Sequence, residues 1–203
     1  AGLRGIMGAG SNRMNRYNVR KATKGFADYL QDTYGKRCQD GVIIAYDSRN
    51  NSADFAAEAA NVLCAAGIPV KFFTEPEPIP VLSFSGRHCR AAGGIVITAS
   101  HNPKEYNGYK VYGPDGGQLV PRDANVLSRY VENISDLAHI PCTGSKELLT
   151  RLGQDTVDLF IEEIYKQSTL KGNVGNLKIV YTPIHGSGNI PVRKILKRGG
   201  FTD

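Results

Sequence analysis

The hydrophobic pattern of the chain switches between short apolar runs and one-sided helical repeats. Residues 42–46 are continuously apolar and rich in β-branched side chains, which predicts a strand buried on both faces. Residues 70–73, 95–98 and 109–112 are three further predicted strands. Helical periodicity predicts helices over 18–34, 52–66, 81–89 and 123–134, and a later one that carries Val157, Phe160, Ile161, Ile164 and Tyr165. This alternation predicts an α/β protein: a three-layer α/β/α sandwich with a mixed, mostly parallel sheet.

Loop residues indicate where these elements begin and end. Gly35 and Gly67 are expected to end the first two helices, and Ser52 is the expected N-cap of the second. Prolines make residues 75–80 a connector, because proline cannot continue a sheet. Residues 105–108 have the composition of a turn before the fourth strand.

The last 31 residues have the pattern of a second α/β unit. Residues 177–181 are a predicted strand and residues 190–197 a predicted helix, with a glycine-rich loop that contains His185 between them. The polar, glycine-rich residues 171–176 are the predicted boundary, which gives one domain over 1–172 and the start of a second, similar domain over 173–203. The chain does not begin with methionine, and we expect it to be a piece of a longer protein.

Composition narrows the classes of partner. The net charge of +6 suits an acidic small molecule, and no Lys/Arg block with interleaved aromatics favours nucleic acid. No apolar run is long enough for a membrane span and no signal peptide is visible, so we expect a cytoplasmic location without membrane contact. The four cysteines form no CxxC pair, which argues against a zinc site and favours reduced thiols.

Polar side chains follow two of the predicted strands, at the edge of the sheet where α/β proteins bind ligands. Asp47-Ser48-Arg49 follows the first apolar run, and Ser100-His101-Asn102 follows the run at 95–98. Ser100 has the position of a nucleophile, but His101 is an awkward base for it, because adjacent side chains in extended chain point to opposite faces. A simple polar turn explains the same residues equally well.

Two cations are further candidates for the same site. Lys110 lies on the next strand, where a hairpin-like return brings it towards Ser100, and a lysine with a lowered pKa transfers protons. Arg4 lies between Gly2 and Gly5, where the backbone can approach a ligand and a guanidinium suits phosphate. Taken alone, each of the two is more commonly an ordinary solvated surface residue.

Four short motifs together resemble the α-D-phosphohexomutase family. They are GLRG at 2–5, DSR at 47–49, TASHNP at 98–103 and NGYK at 107–110. Within that family the chain is most similar to the phosphoglucomutase/phosphomannomutase branch, which also contains phosphopentomutases. The resemblance implies that Ser100 is a phosphoserine whose phosphate binds Mg²⁺, and that Lys110 is the general acid/base. It also implies that His101 is catalytic together with Ser100 and Lys110, and that these three residues bind the substrate with Arg4 and Asn102. Arg49 is implied to have a supporting position.

The resemblance further implies an intramolecular phosphotransferase of four domains. Such an enzyme interconverts hexose 1-phosphate and hexose 6-phosphate, of glucose or mannose, through a bisphosphorylated sugar, with glucose 1,6-bisphosphate as activator. The aspartate-rich metal loop of the family has no counterpart here, since no DxD occurs, and we expect domains 2–4 to be missing and the fragment to be inactive. A phosphopentomutase, a non-catalytic phosphosugar-binding module and a serine hydrolase are the alternatives.

Overall fold

A six-stranded sheet forms the centre of the protein. The computed structural model describes residues 2–169 and 177–201. The strands are β1 (Gly2–Ile6), β2 (Val42–Tyr46), β3 (Val70–Phe73), β4 (Gly93–Ile97), β5 (Tyr106–Tyr112) and β6 (Leu149–Leu152), and they lie in the order β1-β5-β4-β2-β3-β6. The four strands β4, β2, β3 and β6 run parallel, whereas β5 is antiparallel to both of its neighbours. The predicted mixed, mostly parallel sheet is therefore confirmed.

Helices cover both faces of this sheet. They are α1 (Arg16–Tyr34), α2 (Ser52–Ala65), α3 (Ile79–His88), α4 (Pro121–Glu132), α5 (Gln154–Lys166) and α6 (Asn189–Arg198). Side chains alternate along β2, so that Val42 and Ile44 pack with α1 and α2, whereas Ile43 and Ala45 pack with α3 and α5. A strand with helices on both of its faces has no polar side, which explains the continuous apolar run and confirms the three-layer architecture.

Two strands had no sequence signal that predicted them. β1 contains glycine and arginine, and it forms because its backbone pairs with β5, in the register that places Arg4 opposite Gly108. β6 has two exposed polar residues and joins the sheet edge by pairing with β3. Pairing with a neighbouring strand supplies the hydrogen bonds in both cases, and such a partner lies far away in the sequence.

Several predicted boundaries were wrong because tertiary contacts moved them. The turn predicted at 105–108 is mostly strand, since β5 begins at Tyr106 to pair with β1. The helix predicted from 81 begins at Ile79, with a proline in its first turn. Ser52 is not an N-cap: Asn51 holds that position without a side-chain cap, and the Ser52 hydroxyl donates to Asp47 Oδ1 at 2.7 Å.

The second predicted unit forms only in part. α6 is present and packs on α5, where Lys194 pairs with Asp158 and Arg198 pairs with Glu162. The strand predicted at 177–181 was wrong, because residues 177–183 have no regular secondary structure. Val180 is fully exposed, and an apolar run becomes a strand only where a neighbour accepts its hydrogen bonds. The predicted boundary at 171–176 lies outside the described residues.

Two further findings concern the cysteines and the length of the helices. The four cysteines are free, and Cys38 and Cys64 are buried. Among the described helices, none combines the length and the apolar character that a bilayer crossing requires.

Candidate functional site

Ser100 lies on a sharply turned loop at the carboxyl end of β4. Its φ angle is +58°, in the left-handed region that a residue with a side chain rarely adopts, and its side chain is exposed. The Ser100 backbone N–H donates to Thr98 Oγ1 at 3.0 Å, and the Thr98 hydroxyl donates to Asp47 Oδ2 at 2.6 Å. Such strain persists only where surrounding contacts hold it, and it is common at functional sites.

Arg49 is the residue that holds the loop in this shape. Its guanidinium donates to the carbonyl oxygens of Ser100 at 2.6 Å and Asn102 at 2.7 Å. It also donates to the carbonyl oxygens of Pro103 at 2.9 Å and Tyr106 at 3.3 Å. Four backbone carbonyl groups between residues 100 and 106 therefore accept hydrogen bonds from one guanidinium. Its planar set of N–H donors suits several acceptors at once. This arrangement agrees with the supporting position expected for Arg49.

Asp47 connects Arg49 to the body of the protein. Its Oδ2 atom lies 3.2 Å from Arg49 Nε, and its Oδ1 atom accepts from the hydroxyl of Ser52. Asp47 follows β2 and Thr98 follows β4, and these two strands are paired neighbours with Tyr46 opposite Ile97. The expected meeting of the two polar loops at the carboxyl edge of the sheet is thus confirmed.

His101 is next to Ser100 in space as well as in sequence. The turn at Ser100 brings His101 Nδ1 to 3.3 Å from Ser100 Oγ, a long contact for an activated nucleophile. Within residues 2–169 and 177–201, no carboxylate hydrogen-bonds to the His101 ring. The geometry therefore lacks the orienting acid of a Ser-His-Asp relay and argues against the serine hydrolase alternative.

Arg4 and Asn102 meet at the same loop. Arg4 Nη1 donates to Asn102 Oδ1 at 3.0 Å, so the first strand of the chain reaches the loop that follows the fourth. This contact depends on Gly108, which lies between them: a Cβ atom there would be 2.5 Å from Thr98 O and 2.9 Å from Leu3 O. The glycine of the NGYK motif is therefore required for the close approach of three backbone segments.

Lys110 lies two residues further along β5, opposite Val96 of β4. Its side chain is half-buried, and burial, followed by the positive charge of Arg4, lowers its pKa. Asp47 opposes that shift. Among the described residues Lys110 forms no hydrogen bond with Ser100. The sheet thus places the lysine on the strand beside β4, but it does not place the ammonium on the serine.

Asn107 is a site residue whose structural role the sequence did not reveal. It is fully buried, and its amide donates to Asn50 O at 3.1 Å and to Ser52 Oγ at 2.9 Å. It therefore ties β5 to the loop that contains Asp47 and Arg49. An asparagine inside an apolar strand is the signal that could have indicated this role, because a buried amide needs specific partners.

A cleft of about 930 Å³ opens in front of Ser100. One wall contains Ser100, His101 and Asn102, and the opposite wall contains residues 183–187, including His185. The loop after β2 contacts the wall at 183–187, because the Ser48 hydroxyl donates to the carbonyl oxygen of His185 at 2.6 Å. Glu77 also lines the cleft, and it is the second residue that sequence reasoning missed. Its position within a proline-rich connector carried no signal.

The residues at this edge fit a metal ion only in part. Ser100 is exposed, and its contacts with Thr98 and Arg49 use backbone atoms, so a group attached to its hydroxyl would be accessible to a cation. The nearby Asp47 carboxylate is occupied by Arg49, Thr98 and Ser52. Within the described residues no cluster of three or more His, Cys, Asp or Glu side chains could hold a metal. A group attached to Ser100 would therefore need most of its metal ligands from outside the described residues.

Comparison with known proteins gives concordant results. Relatives include phosphoglucomutases of Staphylococcus haemolyticus, 36% identical over 99% of this chain, and of Staphylococcus epidermidis, 36% identical over 95%. This chain spans 37% and 35% of the length of those two proteins. A putative phosphomannomutase from Thermus thermophilus superposes with a TM-score of 0.77 at 22% identity, covering 98% of this chain and 42% of that one, and shows the same fold.

A second solved structure has the same architecture. A phosphoglucomutase/phosphomannomutase family protein from Burkholderia thailandensis superposes with a TM-score of 0.71 at 23% identity, covering 98% of this chain and 41% of that one. The sequence family described as phosphoglucomutase/phosphomannomutase, alpha/beta/alpha domain I, matches residues 1–138. That match covers β1 to α4 and hence the serine loop with its supports. The chain therefore belongs to the phosphoglucomutase/phosphomannomutase family and contains its alpha/beta/alpha domain I.

Proposed function

We propose that this chain is the phosphoserine domain of a mutase that interconverts hexose 1-phosphate and hexose 6-phosphate of glucose or mannose. The observation that carries the proposal is the Ser100 loop: an exposed hydroxyl on a left-handed turn, held by Arg49 and Thr98, with Arg4 of β1 in contact with Asn102 of that loop. The chain spans about 37% of its relatives, so the proposal concerns a parent protein that supplies the rest of the site.

The chemistry of the proposed step is a phosphoryl transfer from Ser100. A hydroxyl oxygen of the sugar phosphate attacks phosphorus, and Lys110 in its neutral form takes the hydroxyl proton. The bond between phosphorus and Ser100 Oγ breaks, and the released Ser100 Oγ takes a proton from solvent. In the return step the Ser100 hydroxyl attacks the other phosphate of the bisphosphorylated sugar and loses its proton to solvent, and Lys110 gives its proton to the departing sugar oxygen. Burial and Arg4 lower the pKa of Lys110, which increases the neutral fraction needed for proton uptake.

The other residues position and neutralise charge, which is what phosphoryl transfer requires most. Arg4, His101 and Asn102 are proposed to bind phosphate and sugar oxygens beside Ser100, since His101 and Asn102 belong to the serine loop and Arg4 contacts it. When Mg²⁺ is bound to the phosphate on Ser100, it would neutralise charge on the transferred group, with its other ligands supplied from outside the described residues. Glucose 1,6-bisphosphate is the proposed activator, because it phosphorylates a serine that has lost its phosphate.

The test is phosphopeptide mapping of the parent protein, with and without prior incubation with glucose 1,6-bisphosphate. We expect a single phosphate on the peptide that contains Ser100, and loss of that phosphate together with loss of mutase activity in Ser100→Ala. Ser128→Ala is the matched control, because its hydroxyl bonds within α4 to Ala124 O at 3.0 Å, on another part of the domain. Absence of phosphate on Ser100 under both conditions would contradict the proposal and favour a phosphosugar-binding module.

Substrate choice is tested with the same preparation. Turnover of glucose 1-phosphate or mannose 1-phosphate that exceeds turnover of ribose 1-phosphate supports the hexose assignment. The reverse order would identify a phosphopentomutase with the same serine chemistry. In the 203-residue chain alone we expect no turnover of either class, because the chain spans 37% of the length of a related phosphoglucomutase and contains no DxD sequence.

A further inference from the structure

Glu77 is a buried acid that the proposed phosphoryl transfer does not use. It lies between β3 and α3, is 2% exposed and lines the cleft in front of Ser100. Its backbone N–H donates to Tyr46 O at 2.9 Å, which anchors it to the end of β2. A carboxylate so deeply buried is stable only where charges or hydrogen-bond donors surround it.

Two buried side-chain oxygens, one of them on Glu77, lack a hydrogen-bond donor among the described residues. Gln154, the first residue of α5, lies next to Glu77, and its side chain counteracts the rise that burial causes in the pKa of Glu77. Yet Glu77 Oε2 and Gln154 Oε1 are both buried and have no hydrogen-bond partner among the described residues. Two buried acceptors without a donor are costly. One proton on Glu77 removes the deficit, because a carboxylic acid and a primary amide can exchange two hydrogen bonds.

The titratable groups around Glu77 lie on its own connector and on neighbouring elements of the fold. Glu75, on the same connector, raises its pKa, and Lys194 of α6 lowers it. Tyr46 of β2 is also close, since the charges of both glutamates raise its pKa. Burial outweighs Lys194 and raises the pKa of Glu77 to about 7. Lys194 instead pairs with Asp158 of α5 at 2.5 Å.

We propose that Glu77 carries a proton when α6 is seated on α5, and that loss of this proton to solvent draws Lys194 from Asp158 towards Glu77. The proton is shared in an acid–amide pair with Gln154. Because α6 begins at Asn189, directly after the cleft wall at 183–187, movement of Lys194 also moves that wall. Glu77 is thus a positioning residue, because its own protonation state is linked to the position of the cleft wall at 183–187.

The experiment follows the Glu77 carboxyl carbon and the α6 backbone amides by NMR in the 203-residue chain between pH 4 and pH 9. We expect the carboxyl signal to titrate with a midpoint near 7, and the α6 amides to shift with the same midpoint. Glu77→Gln, which keeps a neutral hydrogen-bonding side chain, should abolish the amide shift. A carboxyl midpoint in the ordinary glutamate range, or α6 amides that do not shift with it, would overturn the proposal.

Two controls separate this contact from other titrations in the cleft. Glu75→Gln removes an exposed carboxylate on the same connector and should keep the α6 shift, with a slightly lower midpoint. His185→Gln removes the imidazole that precedes α6 and should also keep the α6 shift. Loss of the shift in this variant would assign the shift to histidine and refute the role of Glu77.

If Glu77→Gln does not fold, Lys194→Met provides the test. In that variant we expect the midpoint of the Glu77 carboxyl to rise and the α6 shift to disappear.

Discussion

Arg49 Nη2 lies 2.6 Å from the carbonyl oxygen of Ser100, across 51 positions of sequence. The contact fixes the backbone of the serine and does not involve its hydroxyl. The conformation of the Ser100 loop, and with it the proposed phosphate carrier, therefore depends on a residue after a different strand.

Replacement of Arg49 by lysine should loosen the serine loop although the charge is kept. A lysine ammonium cannot reach four carbonyl oxygens in the plane that the guanidinium spans, so we expect a loss of about 1–3 kcal/mol in the free energy of unfolding. Urea denaturation measures the loss. Arg37→Lys is the matched control, because Arg37 is exposed and has one long ion pair of 3.6 Å. Equal stability of the two variants would contradict the supporting role of Arg49.

Replacement of Gly108 by alanine should separate β1, β5 and the end of β4. The new Cβ atom would lie 2.5 Å from Thr98 O, and backbone on both sides prevents relaxation. We expect a cost of about 2 kcal/mol or more and a weaker contact between Arg4 and Asn102. Gly86→Ala is the control, because Gly86 is in α3 with nothing within 4 Å, and it should be neutral or stabilising. Thermal unfolding measures the stability of both variants, and an equal stability of the two would contradict the prediction.

Glu77 should make the protein less stable as the pH rises. Its pKa is raised to about 7 in the folded protein, so the folded state binds the proton more tightly than the unfolded state, whose glutamate has the ordinary value of 4.5. Stability from this group is complete below pH 4.5 and is lost between pH 4.5 and about 7. Glu77→Gln should flatten that decline by on the order of 2 kcal/mol. Urea unfolding at pH 5 and pH 8 measures it, and an unchanged decline would show that other groups cause it.

Replacement of Ser48 by alanine should release the wall that contains His185. The lost hydrogen bond is exposed, so the global stability should fall by less than about 1 kcal/mol, whereas amides at 183–187 should exchange faster with solvent. Hydrogen exchange resolved by peptide makes the comparison. Ser83→Ala, which removes an exposed hydroxyl that binds Arg87 within α3, should leave exchange at 183–187 unchanged. Equally slow exchange in the Ser48 variant would show that the wall is held by other contacts.

The strongly patterned elements were predictable because their signal is local. The strand at Val42–Tyr46 was predicted at its observed bounds, since a strand covered on both faces must be apolar throughout. The meeting of Asp47 and Ser100 at one sheet edge followed from the rule that parallel strands end together. Conversely, β1 and β6 lack an apolar pattern, and residues 177–181 have the pattern without the strand, because strand formation depends on a hydrogen-bonding partner.

The sequence alone determined the fold class, the family resemblance and the candidate residues Arg4, Ser100, His101, Asn102 and Lys110, because each of these depends on residue type and on short spacing. Only the tertiary structure decided how the site residues are held. The hydrogen bonds from Arg49 to four carbonyl groups and the close backbone contacts at Gly108 involve segments that are distant in sequence. The burial of the Glu77 carboxyl oxygen likewise depends on distant segments. Contacts of this kind arise from packing, and a periodic pattern contains no information about which distant atoms will meet.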